Sequence, residues 1–224
     1  MKTSTLKILA LTLITVSMIQ ACKNPGGEKS QATDAREVQK SQDKALTVNT
    51  EQSSVKWLGT KPTGEHHGFV PIIEGKINQH KKNITGGKFT FDIANLSVED
   101  LEDPKENQKL TDHLNSPDFF NTDTFPTITF DITEVKENDS DKFKDGLKLT
   151  HEISGNLTIK DISKNISFNA NILFDNDKIE LIAPQFLIDR TKWNVNYGSK
   201  SVFDDLKDNF IHDDIGITLK IVTE

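Results

Sequence analysis

Apolar and polar residues alternate over most of the chain beyond residue 46. Lys88-Phe89-Thr90-Phe91-Asp92-Ile93, Thr127-Ile128-Thr129-Phe130-Asp131-Ile132 and Ile166-Ser167-Phe168-Asn169-Ala170-Asn171-Ile172 each keep the apolar residues on one parity, and Ile215 to Ile221 repeats the pattern. Successive strand side chains point to opposite faces, so this alternation predicts antiparallel strands with one buried and one wet face. Further strands are predicted at Val55–Thr60, Gly68–Gln79, Glu152–Lys160 and Lys178–Arg190, for a total of about eight. Gln79–Asn83, Lys160–Lys164 and Asp175-Asn176-Asp177 are short polar connectors of the kind hairpins use. Near Pro184 the apolar parity switches, from Ile179 and Leu181 to Phe186 and Ile188, which predicts a bulge or bend.

Two stretches depart from this pattern. Asp103–Leu114 has Thr111 as its one β-branched residue and predicts a short helix starting near Pro104; a second helical turn is expected at Ser201–Lys207. Phe119, Phe120 and Phe125 lie in a loop with two prolines and two aspartates, where polar side chains normally face water. These rings must cover something apolar, either a cavity or an ordinary core. About eight sequential strands with short connections must manage their edges, and closure into a barrel removes them; a sandwich is the rival architecture.

The N-terminus carries an address. Lys2 and Lys7 precede an apolar run from Ile8 to Ile19, which is shorter than the roughly 20 residues a bilayer span needs. Ile19-Gln20-Ala21-Cys22 resembles a bacterial lipoprotein box, so residues 1–21 are expected to be a cleaved signal peptide and Cys22 the lipidated, membrane-anchored first residue. The expected location is the periplasm or cell envelope. Residues 22–45 are read as the lipidated cysteine and a disordered tether, because Lys23–Ala45 holds no aromatic residue, and residues 46–224 as one β-barrel domain. Cys22 is the sole cysteine, so no internal disulfide can form.

Charge narrows the classes of partner. The formal charge of −7 falls to −9 once Lys2 and Lys7 leave with the signal peptide, and Lys81-Lys82 is the longest basic cluster, so no nucleic acid is expected. There is no Gly-x-Ser-x-Gly and no phosphate loop, and the carboxylates are scattered; no catalytic residue is assigned. His66 and His67 are adjacent on a strand, facing opposite ways, and no metal set is assigned to them.

Three ordered motifs then suggest a family. Ser116-Pro117-Asp118-Phe119-Phe120 with Phe125-Pro126-Thr127-Ile128-Thr129-Phe130, Ser154-Gly155-Asn156-Leu157-Thr158-Ile159-Lys160-Asp161, and Phe186-Leu187-Ile188-Asp189-Arg190-Thr191-Lys192-Trp193-Asn194 resemble the YceI-like family of exported bacterial proteins. Members often carry Val-Lys-His where this chain has Gly64 to Gly68, and a Gly where it has Asn194. The resemblance implies an all-β fold, an extended lipocalin-like antiparallel barrel with one or two short helices, whose cavity binds a polyisoprenoid or similar long amphiphile. No cofactor is expected beyond a bound isoprenoid lipid or quinone. The expected partners are a long-chain apolar lipid, the membrane, and a second copy in a homodimer.

The residues assigned to the cavity wall are Phe89, Phe91, Ile93, Ile128, Phe130, Phe168, Ile172, Phe186 and Ile188. Phe119, Phe120 and Phe125 are assigned to its cover, and Arg190 is read either as a head-group contact or as a structural ion pair. Parity identifies the buried face but does not separate a ligand wall from a packed core. A barrel with a filled interior that binds another protein, and an enzyme acting on an amphiphile, are the alternatives.

Overall fold

A computed structural model describes residues 25–224 apart from 40, 140, 177 and 205. The expected signal peptide and Cys22 lie outside the described residues. In chain order the strands are β1 (Glu28–Lys29), β2 (Thr33–Asp34), β3 (Lys44–Thr47), β4 (Ser54–Lys61), β5 (Gly64–Phe69), β6 (Ile72–His80), β7 (Asn83–Asp92), β8 (Thr127–Glu137), β9 (Phe143–Lys144), β10 (Leu147–Lys148), β11 (His151–Ile159), β12 (Ile162–Asp175), β13 (Lys178–Asp189) and β14 (Asp214–Val222). Among the described residues, eight of these are eight residues or longer. Among the described residues there is one α-helix, α1 (Pro104–Asn115), which starts where Asp103 caps it: Oδ1 accepts from the N–H groups of Lys105 at 2.8 Å and Glu106 at 3.2 Å. Pro104 supplies the fixed φ of a first helical residue.

The main sheet runs in the order β3-β6-β7-β8-β11-β12-β13-β14-β4-β5 and curls into an antiparallel half-barrel. At one end the seam is drawn together where Val48 bridges Thr223, with Asn49 N–H donating to the Val222 carbonyl at 2.8 Å and Glu224 N–H to that of Thr47 at 2.9 Å. The free edge of β5 is paired by a loop, through Ser97 N–H to the Phe69 carbonyl and Glu99 N–H to the His67 carbonyl, both 2.8 Å. This approach demands glycine at residue 68, because a Cβ there would lie 1.9 Å from the Ser97 carbonyl oxygen. The sheet's concave face is apolar, with Ile77, Ile153 and Ile179 wholly buried, and burying one such side chain stabilises the fold by about 1.5–3 kcal/mol.

The turns follow their sequences. Lys160 and Asp161 both take positive φ between β11 and β12, as do Lys81 between β6 and β7 and Asn176 between β12 and β13. Near Pro184 the β13–β14 register slips between Ala183 and Phe186, so Leu181 and Phe186 both face inward despite opposite parity.

Three expectations change. Gly68–Gln79 is two strands rather than one, broken at Val70-Pro71, where Pro71 has no N–H to donate and its carbonyl accepts instead from Asp92 N–H at 2.9 Å. The turn expected at Ser201–Lys207 is a 3-10 turn at Lys207–Asn209. The stretch read as a disordered tether carries strands instead: β1 pairs in parallel with β13, β2 pairs antiparallel with β12, and β3, at its end, pairs with β6. Their composition is polar because they satisfy backbone groups left open by the sheet rather than fill a core.

Candidate binding cavity

The inward positions of seven long strands and Val70 enclose a cavity lined by eighteen residues, every one of them apolar. Its volume is about 110 Å³, where about 10–15 Å³ holds one water.

A ladder of phenylalanines crosses this space. Ring centroids lie 6.3 Å apart for Phe89–Phe91, 6.5 Å for Phe89–Phe130, 5.8 Å for Phe130–Phe168 and 4.5 Å for Phe168–Phe186, the last pair nearly parallel at 7°. Phe130 on β8 reaches Phe168 on β12 across the intervening strand β11. It can do so because β11 presents Gly155 there, where a Cβ would stand 2.3 Å from Phe130 Cζ. The glycine is thus a gap into which the aromatic ladder fits.

Of the residues assigned from sequence, Phe89, Phe91, Ile128, Phe130, Phe168, Phe186 and Ile188 line the cavity. Ile93 and Ile172 are buried in the surrounding core and do not border the space. Val55, Val70, Ile132, Ile153, Leu157, Ile159, Ile166, Leu181, Ile217, Leu219 and Ile221 complete the lining. Ile132 and Ile166 share the parity of Phe130 and Phe168, so extending the alternation by one step would have found them.

Phe119, Phe120 and Phe125 do not border the cavity. Phe119 is buried, edge-on to His113 at 5.1 Å and tilted on Tyr197 at 5.3 Å, with the Arg190 guanidinium 6.0 Å from its centroid. Phe120 and Phe125 are half-buried, Phe120 packing on the core. Lys160, in the β11–β12 turn, ties this loop down by donating to the carbonyls of Phe119 at 3.0 Å and Asn194 at 3.2 Å, and burial lowers its pKa. The aromatic loop therefore packs against the β11–β12 end of the barrel as solid structure.

Arg190 sits in the same block, 4% exposed. It donates to the backbone carbonyls of Val195 at 2.6 Å, Ile211 at 3.1 Å and His212 at 3.2 Å, with Asp213 at 3.7 Å. Burial lowers its pKa, and Asp213 and Asp189 act against that. Neighbouring Trp193 is fully buried and donates to the Leu157 carbonyl at 3.0 Å. Asn194, where the family has Gly, takes a left-handed φ of 54°, a conformation that asparagine tolerates best after glycine.

His66 and His67 meet a carboxylate rather than each other. Asp100 accepts from His67 N–H at 2.9 Å and lies 2.7 Å from His66 Nδ1. Among the described residues no three His, Cys, Asp or Glu side chains converge in a metal-binding group.

Residues 46–223 match the YceI-like domain. The chain belongs to that family. It is 28% identical over 144 residues to a UPF0312 protein of Staphylococcus aureus, covering 62% of this chain and 71% of that one. Against the protein YceI of Shigella flexneri it is 31% identical over 111 residues, or 50% of this chain and 51% of the relative. Among solved structures, BcnA of Burkholderia cenocepacia superposes with a TM-score of 0.59 at 18% identity, covering 79% of this chain and 99% of that one. A polyisoprenoid binding domain from Saccharophagus degradans gives 0.57 at 12% identity, covering 80% and 97%. These two establish a shared YceI-like fold.

Proposed function

We propose that this YceI-like protein is a binding protein that holds the apolar chain of a polyisoprenoid, quinone or similar long amphiphile inside its half-barrel, exported and anchored to a bacterial membrane through Cys22. The observation that carries this reading is the cavity wall, where eighteen residues from seven strands and one connection contribute no polar side chain. A protein gains little by keeping such a space empty, because its lining forgoes dispersion contacts and an apolar cavity does not hold water well. The similarity in fold to a polyisoprenoid binding domain supports the same class of ligand. No reaction is proposed.

The test is native mass spectrometry after gentle purification, followed by organic extraction, on the wild type and on Ile153→Trp. Ile153 is wholly buried in the cavity wall, so the larger ring occupies the space a ligand would use. A lipid that accompanies the wild type and is lost from the folded variant is the expected result. A wild type that stays empty and takes up no added geranylgeraniol sinks the proposal. For the anchor, Cys22→Ser is expected to move the protein from the membrane fraction to the soluble one.

A further inference from the structure

The barrel wall has a split. β12 and β13 pair only from Asn171↔Ile182 to Asp175↔Lys178, next to their hairpin turn. Beyond Ile182 no further pairing of the two strands follows: Pro184, two residues on, has no N–H to donate, and at the same place β13 slips its register against β14 on its other edge. The two strands then diverge, and the segment 28–34 lies in the opening. Glu28 and Lys29 pair with Phe186 and Leu187 on one side, and Thr33 and Asp34 pair with Asn165 and Lys164 on the other.

Ser30 spans the split. Its N–H donates to the Leu187 carbonyl at 2.8 Å, and its Oγ accepts from Ser167 N–H at 3.0 Å. Directly behind stand the stacked rings of Phe168 and Phe186. Both rings line the central cavity, and both also line an outer polar pocket of about 250 Å³ that Glu28, Ser30 and Thr33 border.

The segment is held by polar contacts, most of them at exposed side chains, and not by apolar packing. Lys29 reaches Asp214 at 2.6 Å and Asp189 at 3.9 Å, Lys164 meets Asp34 at 3.0 Å, and Asn169 donates to Glu28 at 2.9 Å; Arg36 lies 3.7 Å from Glu134, and Asn156 exchanges two hydrogen bonds with the Arg36 backbone, at 2.9 and 2.7 Å. Between residues 26 and 36, Ser30 alone is fully buried and Ala32 partly so. Little apolar area is buried, which places the segment among those that open at low free energy, well below global unfolding.

We infer that residues 28–34 are a removable strap over a side portal between β12 and β13, through which an apolar chain passes the Phe168–Phe186 pair into the cavity. This rests on the binding function proposed above. The strap precedes the residues 46–223 that match the family.

The experiment locks the strap. Lys29 and Leu187 are register partners, and adjacent strands lie about 4.8 Å apart, within the roughly 4.4–6.8 Å a disulfide spans. In the full chain with Cys22→Ser, the pair Lys29→Cys and Leu187→Cys is oxidised or reduced, and uptake of the apolar dye N-phenylnaphthylamine is followed by stopped-flow fluorescence. Oxidation is expected to slow uptake at least tenfold, reversibly, with unchanged occupancy at equilibrium. Equal rates in the two forms overturn the portal while leaving the binding function standing. Absence of dye uptake by the wild type and by both forms removes the binding function, and the portal with it. If the double variant does not fold, Ser30→Ala carries the test: uptake several-fold faster than wild type is expected, and an unchanged rate overturns the portal.

Discussion

Replacing Arg190 by methionine separates a structural arginine from a ligand contact. The guanidinium is 4% exposed and makes three charge-assisted bonds to the carbonyls of Val195, Ile211 and His212, with Asp213 beside it. Each such bond contributes about 1.5–3 kcal/mol, but one guanidinium makes all three and methionine recovers part of the packing. The expected loss is therefore about 3–5 kcal/mol, the range found when one partner of a buried charged network is removed. For a domain of this size that corresponds to a fall in the thermal midpoint of about 6–20 °C. The assay is urea unfolding followed by tryptophan emission, with the slope compared so that the change is assigned to stability. Arg190→Lys should recover only a minor part, since one ammonium cannot copy the three-way fork. A variant that unfolds within about 1 kcal/mol of wild type refutes the structural role. So would a fully stable variant that no longer takes up N-phenylnaphthylamine.

Gly155→Ala should cost about 1–3 kcal/mol and reduce dye capacity, because its Cβ would stand 2.3 Å from Phe130 Cζ and push that ring inward; unchanged stability and binding would show that the ladder does not need the gap. For Asp100, burial raises the pKa, but hydrogen bonds from His67 N–H and the His66 ring outweigh it and leave the carboxyl below its ordinary value. A carboxyl lowered by folding contributes stability above its unfolded pKa and loses it as pH falls through the folded one. Asp100→Asn should therefore flatten the acid limb of the stability profile below about pH 4, and parallel limbs for the two proteins would contradict this.

Much of the barrel could be read from alternation alone. Val55–Thr60 is observed as β4 (Ser54–Lys61), and Lys178–Arg190 as β13 (Lys178–Asp189), with the bend at Pro184 realised as a register slip. Period two works here because one face is dry over the whole sheet. It fails at residues 25–45, whose ordering comes from backbone groups that β12 and β13 leave open, a tertiary demand with no signature in the segment's composition. Parity also picked seven cavity residues yet included Ile93 and Ile172, since a buried face contains both packed and cavity-lining positions. The aromatic loop was recognised as covering something apolar, but what it covers is the Arg190–Tyr197 block rather than the cavity mouth.

The two tryptophans are placed outside the cavity wall. Trp193 is wholly buried against Leu157, and Trp57 donates to the Ser97 carbonyl on the loop side of the sheet. Their emission therefore reports on whether the barrel is folded, while the cavity itself is lined by phenylalanine and aliphatic side chains that are dark at the same wavelengths. The molecule carries an internal optical reference, against which Val70→Trp, placed at a half-buried lining position on a connection rather than in the packed wall, would add a signal that changes with occupancy.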